Sequence, residues 1–174
     1  MHYLSNFFED RIKRDLFYRY SYINSDQIPK ILKVTLDINL IKKKYKHLTS
    51  LLLALEILSM KKSEINNKIP FKVSLKYKKG SPINCNVVLK NKIKTFFIAK
   101  IINEKQDVYK TSLLSCKKTY SFSLVSVFKS MDLKANYNFF KHVPSVSVTV
   151  YTNTRTTPEL LFLLKSYKKN YNLK

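Results

Sequence analysis

The amino-acid sequence predicts a single α+β domain in which about five strands form one sheet with helices packed on one of its faces. Three observations carry that expectation. Five stretches alternate apolar and polar residues at the period of a strand. Four others repeat apolar residues every three or four positions, as a helix does. No internal repeat or low-complexity linker divides the 174 residues, and a chain of that length buries roughly 70% of its unfolded surface in one domain.

Residues 3–20 place Leu4, Phe8, Ile12 and Leu16 at steps of four, with Glu9, Asp10, Arg11, Lys13, Arg14 and Arg19 elsewhere, which predicts an amphipathic N-terminal helix. Residues 21–27, rich in Ser, Asn and Asp, read as a loop. The body, residues 28–168, opens with the strand around which the chain is organised. From Leu32 it alternates, with Leu32, Val34, Leu36, Ile38 and Leu40 on one face and Lys33, Thr35, Asp37 and Asn39 on the other. Pro29 cannot donate to a ladder but is tolerated where a strand begins. Lys42-Lys43-Lys44-Tyr45-Lys46 then forms a basic corner, and Leu48 to Met60, with Leu48, Leu51, Leu52, Leu55 and Leu58 on one side, predicts the main core helix. Lys61 and Lys62 suit its negative C-terminal end.

After a polar stretch over residues 63–70, Phe71, Val73, Leu75 and Tyr77 alternate with Lys72, Ser74, Lys76 and Lys78, giving a two-faced basic arm over residues 68–80. Gly80-Ser81-Pro82 is a turn. Ile83, Cys85, Val87 and Leu89 then alternate with Asn84, Asn86, Val88 and Lys90, which puts Cys85 on the apolar face as a small buried hydrophobe. Asn91 is placed to cap a helix over 92–103, with Ile93, Phe96, Phe97, Lys100 and Ile101 near one side. Residues 104–118 show little periodicity and read as loop. Tyr120 to Phe128 alternates as a fourth strand, 129–144 is irregular and aromatic, and Ser145 to Asn153 alternates as a fifth. Thr156-Thr157-Pro158-Glu159 has the chemistry of a helix start, and the helix over 157–168 is expected to bury Leu160, Leu161, Leu163, Leu164 and Tyr167.

Composition narrows the function. Thirty-three Lys and Arg against eleven Asp and Glu give a net charge of +22, spread along the whole chain, a field that favours a polyanion. Only Arg11, Arg14, Arg19 and Arg155 are arginines, so most contacts are expected to be point-charge neutralisation of phosphates rather than bidentate reading of bases. The single glycine, Gly80, excludes a Gly-rich phosphate loop. With no Trp and abundant Lys, Asn, Ile, Phe and Tyr, the composition is that of an AT-rich genome, which points to an organelle or a low-GC bacterium. Glu9, Asp10 and Asp15 near the N-terminus are unlike a transit peptide, which is poor in acids, and fit synthesis inside the compartment where the protein works.

Catalysis finds no support. Cys85 and Cys116 stand 31 positions apart with no CxxC, against a disulfide framework or zinc site. His2, His47 and His142 fall in separate elements, the carboxylates are scattered, and no Ser or Cys elbow occurs. The expectation is a non-enzymatic protein with no metal, no cofactor and no membrane span, since the longest apolar run, around Leu51 to Leu55, is too short and is followed by Glu56.

In order and motif the chain resembles one family, the large-subunit ribosomal protein five that binds 5S rRNA, over roughly residues 4–168. An N-terminal Leu-x-x-x-Phe helix leads to Ile28-Pro29-Lys30-Ile31-x-Lys33-Val34-Thr35-Leu36, close to the family's opening strand. Lys42-Lys43 precedes a core helix. Most specific is Lys79-Gly80-Ser81-Pro82-Ile83-Asn84-Cys85-Asn86-Val87-Val88-Leu89-Lys90, similar to the family's Gly-x-Pro-Ile-Gly-Cys-x-Val-x-Leu-Arg signature. Val148-Thr149-Val150-Tyr151-Thr152-Asn153-Thr154 before a Leu-rich helix fits the family's ending. The chain departs from the family at Asp37, where the family has Asn, and at Asn39-Leu40-Ile41, which replaces Gly-Val-Gly.

The resemblance implies a curved antiparallel sheet with helices on one face and RNA on the other, in the central protuberance of a mitochondrial ribosome; a plastid-type organelle or a low-GC bacterium is the alternative. Lys30, Lys33, Thr35, Asn39, Lys42, Lys43, Lys44, Lys46 and Lys90 are then expected on 5S rRNA, or a divergent substitute, and on large-subunit rRNA. Lys72, Ser74, Lys76, Tyr77, Lys78 and Lys79 of the arm are expected on peptidyl-site tRNA. A bridge to small-subunit protein thirteen and contacts with neighbouring central-protuberance proteins complete the implied partners. A free RNA-binding module of the split βαβ type is the competing reading; it stacks bases on sheet aromatics, whereas the exposed strand positions here are Lys, Ser, Thr and Asn.

Overall fold

The computed structural model describes residues 2–39, 47–66, 84–103, 108–109, 118–124 and 136–171. In chain order the elements are α1 (His2–Arg19), a 3-10 turn (Ser25–Gln27), β1 (Ile31–Asn39), α2 (Leu48–Ser59), β2 (Glu64–Asn66), β3 (Asn84–Leu89), α3 (Asn91–Asn103), β4 (Val108–Tyr109), β5 (Thr119–Leu124), α4 (Tyr137–Phe140), β6 (Val146–Thr152) and α5 (Thr157–Tyr171). The strands form one sheet in the order β2-β3-β1-β6-β5-β4, with every pair antiparallel. This is the expected α+β architecture. Two of its six strands are only two and three residues long.

β1 is central because one of its faces is continuously apolar. Val34, Leu36 and Ile38 are fully buried and oppose Leu89, Val87 and Cys85 of β3 and, for the first two, Val150 and Val148 of β6. α1, α2, α3 and α5 cover that face: Ile12 and Leu16, Leu51, Leu55 and Leu58, Phe97 and Ile101, and Leu163 and Tyr167 join one buried cluster. Truncating a fully buried leucine such as Leu36 to Ala should cost about 2–5 kcal/mol. Cys85 is buried there as expected, and burial raises its thiol pKa, the opposite of what a nucleophile needs.

With glycine almost absent, other residues take the left-handed positions. Met60 closes α2 at φ 52°, its N–H donating to the Glu56 carbonyl at 2.8 Å. Glu56 Oε1 in turn accepts from Ser63 N (3.0 Å) and Ser63 Oγ (3.1 Å), which holds the Glu56 carboxyl below the usual range and leads the chain into β2. At the helix start expected there, at the head of α5, the buried Glu159 accepts from Arg155 N (2.9 Å) and Thr156 N (3.3 Å), the carboxylate half of a capping box.

Four expectations about individual residues are corrected. β1 and β6 shift register between Ile31 and Lys33, a one-residue bulge that turns Ile31 into the core and leaves Leu32 49% exposed. α3 is rotated from the expected face: Phe97 and Ile101 are buried, whereas Phe96 is 45% exposed and Ile93 38%. Asn91 is left-handed at φ 52° rather than extended as an N-cap residue is. In α5, Leu161 is 41% exposed while Leu160 and Leu163 are buried. β2, β4 and α4 occupy stretches with no predicted element. The expected strand over 71–77, the far end of the strand over 120–128 and the position of Leu40 lie outside the described residues.

Candidate nucleic-acid interface

Because β-strand side chains alternate, burying one face of the sheet presents the other as a surface. The strand register arranges that surface in rows. Asn39, Asn84 and Asn66 form a row of amides across β1, β3 and β2. Thr35, Thr149 and Ser121 form a row of hydroxyls across β1, β6 and β5, with Ser121 Oγ and Thr149 Oγ1 3.1 Å apart. Lys33 lies opposite Tyr151 and places its ammonium 4.5 Å from the ring centroid. The middle row runs Glu64, Asn86, Asp37, Ser147 and Ser123.

The face is polar but not basic. Among the described residues its strands carry Lys33 against Asp37 and Glu64. The lysines lie instead on the rim at the end where β1 begins and β3 and β6 finish. Lys30 is exposed there, with its N–H donating to Asn153 Oδ1 at 2.6 Å and its carbonyl accepting from Asn153 N at 3.3 Å. Lys90 follows β3, and Lys118 precedes β5 with its carbonyl accepting from Thr152 N at 2.8 Å. Lys61 reaches this rim too, donating to the Val88 carbonyl at 2.7 Å, so it serves more than the α2 terminus for which the sequence reading had it.

Asp37 stands at the centre of the face. Burial raises its carboxyl pKa and a hydrogen bond with Thr35 partly offsets that. Among the described residues no lysine or arginine pairs with it, and the Oδ1 atom of its cross-strand neighbour Asn86 is buried with no hydrogen-bond partner. A second buried polar atom, the Tyr22 hydroxyl, lacks a hydrogen bond of good geometry although it sits near Glu159; burial first, and that carboxylate second, push its pKa up to about 12.

Of the residues expected on RNA, the structure brings together Lys30, Lys33, Thr35, Asn39 and Lys90 on one face and its rim. Lys42, Lys43, Lys44 and Lys46, and all of the arm residues Lys72, Ser74, Lys76, Tyr77, Lys78 and Lys79, lie outside the described residues. The sequence reading missed Lys61 and Lys118 as rim residues and the cross-strand rows as units, since only register shows which amides and hydroxyls are neighbours. It also treated His47 and His142 as unrelated, whereas their rings stack 4.5 Å apart. Among the described residues no three His, Cys, Asp or Glu side chains group as a metal site, and no helix is long and apolar enough to cross a membrane.

Comparison with known proteins gives full-length matches. The chain is 22% identical over 176 residues to large ribosomal subunit protein uL5m of Reclinomonas americana, covering 97% of each. It is 25% identical over 170 residues to large ribosomal subunit protein uL5 of Wigglesworthia glossinidia brevipalpis, covering 94% of this chain and 96% of that one. With large ribosomal subunit protein uL5c of Guillardia theta the identity is 26% over 174 residues, covering 90% of each. No family model matches the chain.

Proposed function

We propose that the outward sheet face of this chain, a divergent member of the large ribosomal subunit protein uL5 family and so a structural rather than enzymatic ribosomal protein, binds 5S rRNA, or a divergent substitute, within the central protuberance. The observation that carries the reading is the division of labour on that face. A neutral amide row and a neutral hydroxyl row flank the middle row that holds Asp37 and Glu64, while Lys30, Lys61, Lys90 and Lys118 stand on the rim. Phosphate contacts position a nucleic acid and neutral donors and acceptors read it. Asn side chains offer both donors and acceptors, which suits the base edges and 2′-hydroxyls of a loop or shallow RNA minor groove.

The remaining lysines extend the same reading. Lys42, Lys43, Lys44 and Lys46 continue the phosphate contacts to large-subunit rRNA beyond the end of β1. Residues 68–80 reach peptidyl-site tRNA through Lys72, Ser74, Lys76, Tyr77, Lys78 and Lys79. A bridge to small-subunit protein thirteen in the head and contacts with neighbouring central-protuberance proteins follow from the same placement. The chain works in a mitochondrial ribosome, in keeping with its AT-rich composition and with a uL5m among its relatives.

One observation favours the competing module. β1, α2 and β2, with β3 inserted between the two strands, form a split βαβ unit. Its stacking mechanism needs several free aromatics on the central strands, but the outward positions of β1 and β3 are Lys33, Thr35, Asp37, Asn39, Asn84, Asn86 and Val88, and on β6 the one aromatic, Tyr151, is covered by the Lys33 ammonium. Variant binding tests the division of labour on 5S rRNA. Asn39→Ala and Asn84→Ala should each weaken binding by about 0.5–1.5 kcal/mol at unchanged salt dependence. Lys30→Gln and Lys90→Gln should each make the log–log salt slope shallower by about 0.7–0.9. Asn variants that bind normally would overturn the reading face.

A further inference from the structure

We infer that the exposed side of α1 is a second RNA-contacting surface, built to hold one unpaired nucleotide through Arg11, Arg14, Asp15 and Tyr18; this rests on the ribosomal reading above. The first argument is where the arginines are. The chain has four, and three of them, Arg11, Arg14 and Arg19, are on α1. Arg155 comes just before α5, the helix on which α1 packs. Elsewhere the basic charge is lysine, so the guanidinium fork, which grips a phosphate through two parallel hydrogen bonds, is reserved for this part of the molecule.

The geometry is specific to that side of the helix. Positions 11, 14, 15 and 18 share one face, since side chains three, four and seven apart are stacked along a helix. Ile12 and Leu16, on the other side, are buried in the core. The four side chains enclose an open depression of about 260 Å³. That is below the several hundred Å³ of a pocket that engulfs a free small ligand, and suits one group of a polymer passing over the surface. The core that takes Ile12 and Leu16 lies on the inner side of the sheet, so this depression and the outward sheet face are different surfaces of the domain.

The neighbouring charges leave the two forks free to act outward. Asp10 is engaged by Lys13, Nζ to Oδ1 at 3.0 Å, and among the described residues no carboxylate forms an ion pair with Arg11 or Arg14. Arg19 is occupied within the fold, its guanidinium 4.6 Å from the centroid of Phe162. Tyr18 is 86% exposed, an aromatic face given to solvent. The presence of Asp15 in the same depression selects the partner. An acidic protein surface brings carboxylates, which suit Arg11 and Arg14 but offer Asp15 no donor. A ribonucleotide satisfies all four groups at once: phosphate on the guanidiniums, the 2′-hydroxyl donating to the Asp15 carboxylate, and an unstacked base on the Tyr18 ring. DNA lacks the hydroxyl that Asp15 would accept.

Photocross-linking in assembled particles tests this. The full chain, with Tyr18 replaced by p-benzoylphenylalanine, is expressed in the source cells, large subunits are purified, and cross-linked nucleotides are mapped. The result expected is a cross-link to one or a few adjacent rRNA nucleotides, lost in an Arg11→Gln/Arg14→Gln background that still enters the subunit. With extracted large-subunit rRNA as the probe, that double variant should make the log–log salt slope shallower by about 1.4–1.8. Asp15→Ala should reduce the preference for the mapped RNA segment over its 2′-deoxy analogue. A cross-link to a protein, or no cross-link in a chain that does enter the subunit, overturns the inference and leaves the sheet-face reading standing. A chain absent from large subunits removes both.

Discussion

Replacing Asp37 by Asn tests the outward face at its centre. The carboxylate is half-buried on the middle row between Asn86 and Ser147, without a basic partner among the described residues, and burial raises its pKa above the ordinary 3.8. The change is isosteric, and removing an unpaired, partly desolvated charge should stabilise the fold by on the order of 1 kcal/mol. For a domain of this size that is a rise of roughly 2–4 °C in Tm. The sign with pH follows from linkage: a group whose folded pKa is raised contributes stability below its unfolded pKa, and that contribution is lost as pH rises through the folded value. Thermal unfolding followed by circular dichroism should therefore show the Asn variant ahead at neutral pH, with the difference shrinking as the pH falls toward 4. On RNA the same variant should bind more tightly, because a carboxylate facing phosphates is repelled. A variant that is less stable at pH 7 and also binds RNA more weakly would refute this reasoning, since the carboxylate would then be accepting an essential contact.

The other predictions are more local. RNA binding by the wild-type chain should neutralise about five to eight phosphates and give a log–log salt slope of about −4 to −7; a nearly flat dependence in a filter-binding series would oppose it. Cys85→Ala should cost on the order of 1 kcal/mol in denaturant unfolding and leave RNA affinity unchanged. Tyr22→Phe removes a buried hydroxyl without a good partner, so stability should hold or rise by up to about 1 kcal/mol. The wild-type chain should also lose stability between pH 10 and about 12, where the unfolded phenol ionises and the folded one does not, and the Phe variant should lose less. Lys76, Lys78 and Lys79 changed together to Glu should leave subunits assembled but weaken tRNA retention in the peptidyl site, most at low salt; particles that fail to assemble would make the arm an rRNA anchor.

Where one face of an element is continuously buried, the sequence showed it. Val34, Leu36 and Ile38, then Cys85, Val87 and Leu89, then Val146, Val148 and Val150 alternate without interruption, and register cannot slip without exposing them. Failures occur where a local geometric event intervenes. The bulge inverts Ile31 and Leu32, and parity carries no trace of it. Glu64-Ile65-Asn66 has no strand signature because it is a strand only by pairing with Asn84–Asn86. On α3, three apolar positions in succession, Phe96, Phe97 and Ile98, leave the buried face undecided by periodicity. The candidate site divides similarly: Lys30, Lys33 and Lys90 could be named from the family resemblance, but the amide and hydroxyl rows exist only across strands, and the helical spacing of Arg11, Arg14 and Tyr18 makes a depression only because Ile12 and Leu16 are buried behind it.

Sedimentation of the tagged full-length chain through a sucrose gradient of source-cell lysate tests the central claim, a structural place in the large ribosomal subunit. The account predicts that the protein migrates only with large subunits and whole ribosomes, stays there at moderate salt, and carries 5S rRNA or its substitute when the subunit is dissociated. A free pool near the top of the gradient, or migration with messenger RNA in fractions lacking large-subunit rRNA, would contradict it.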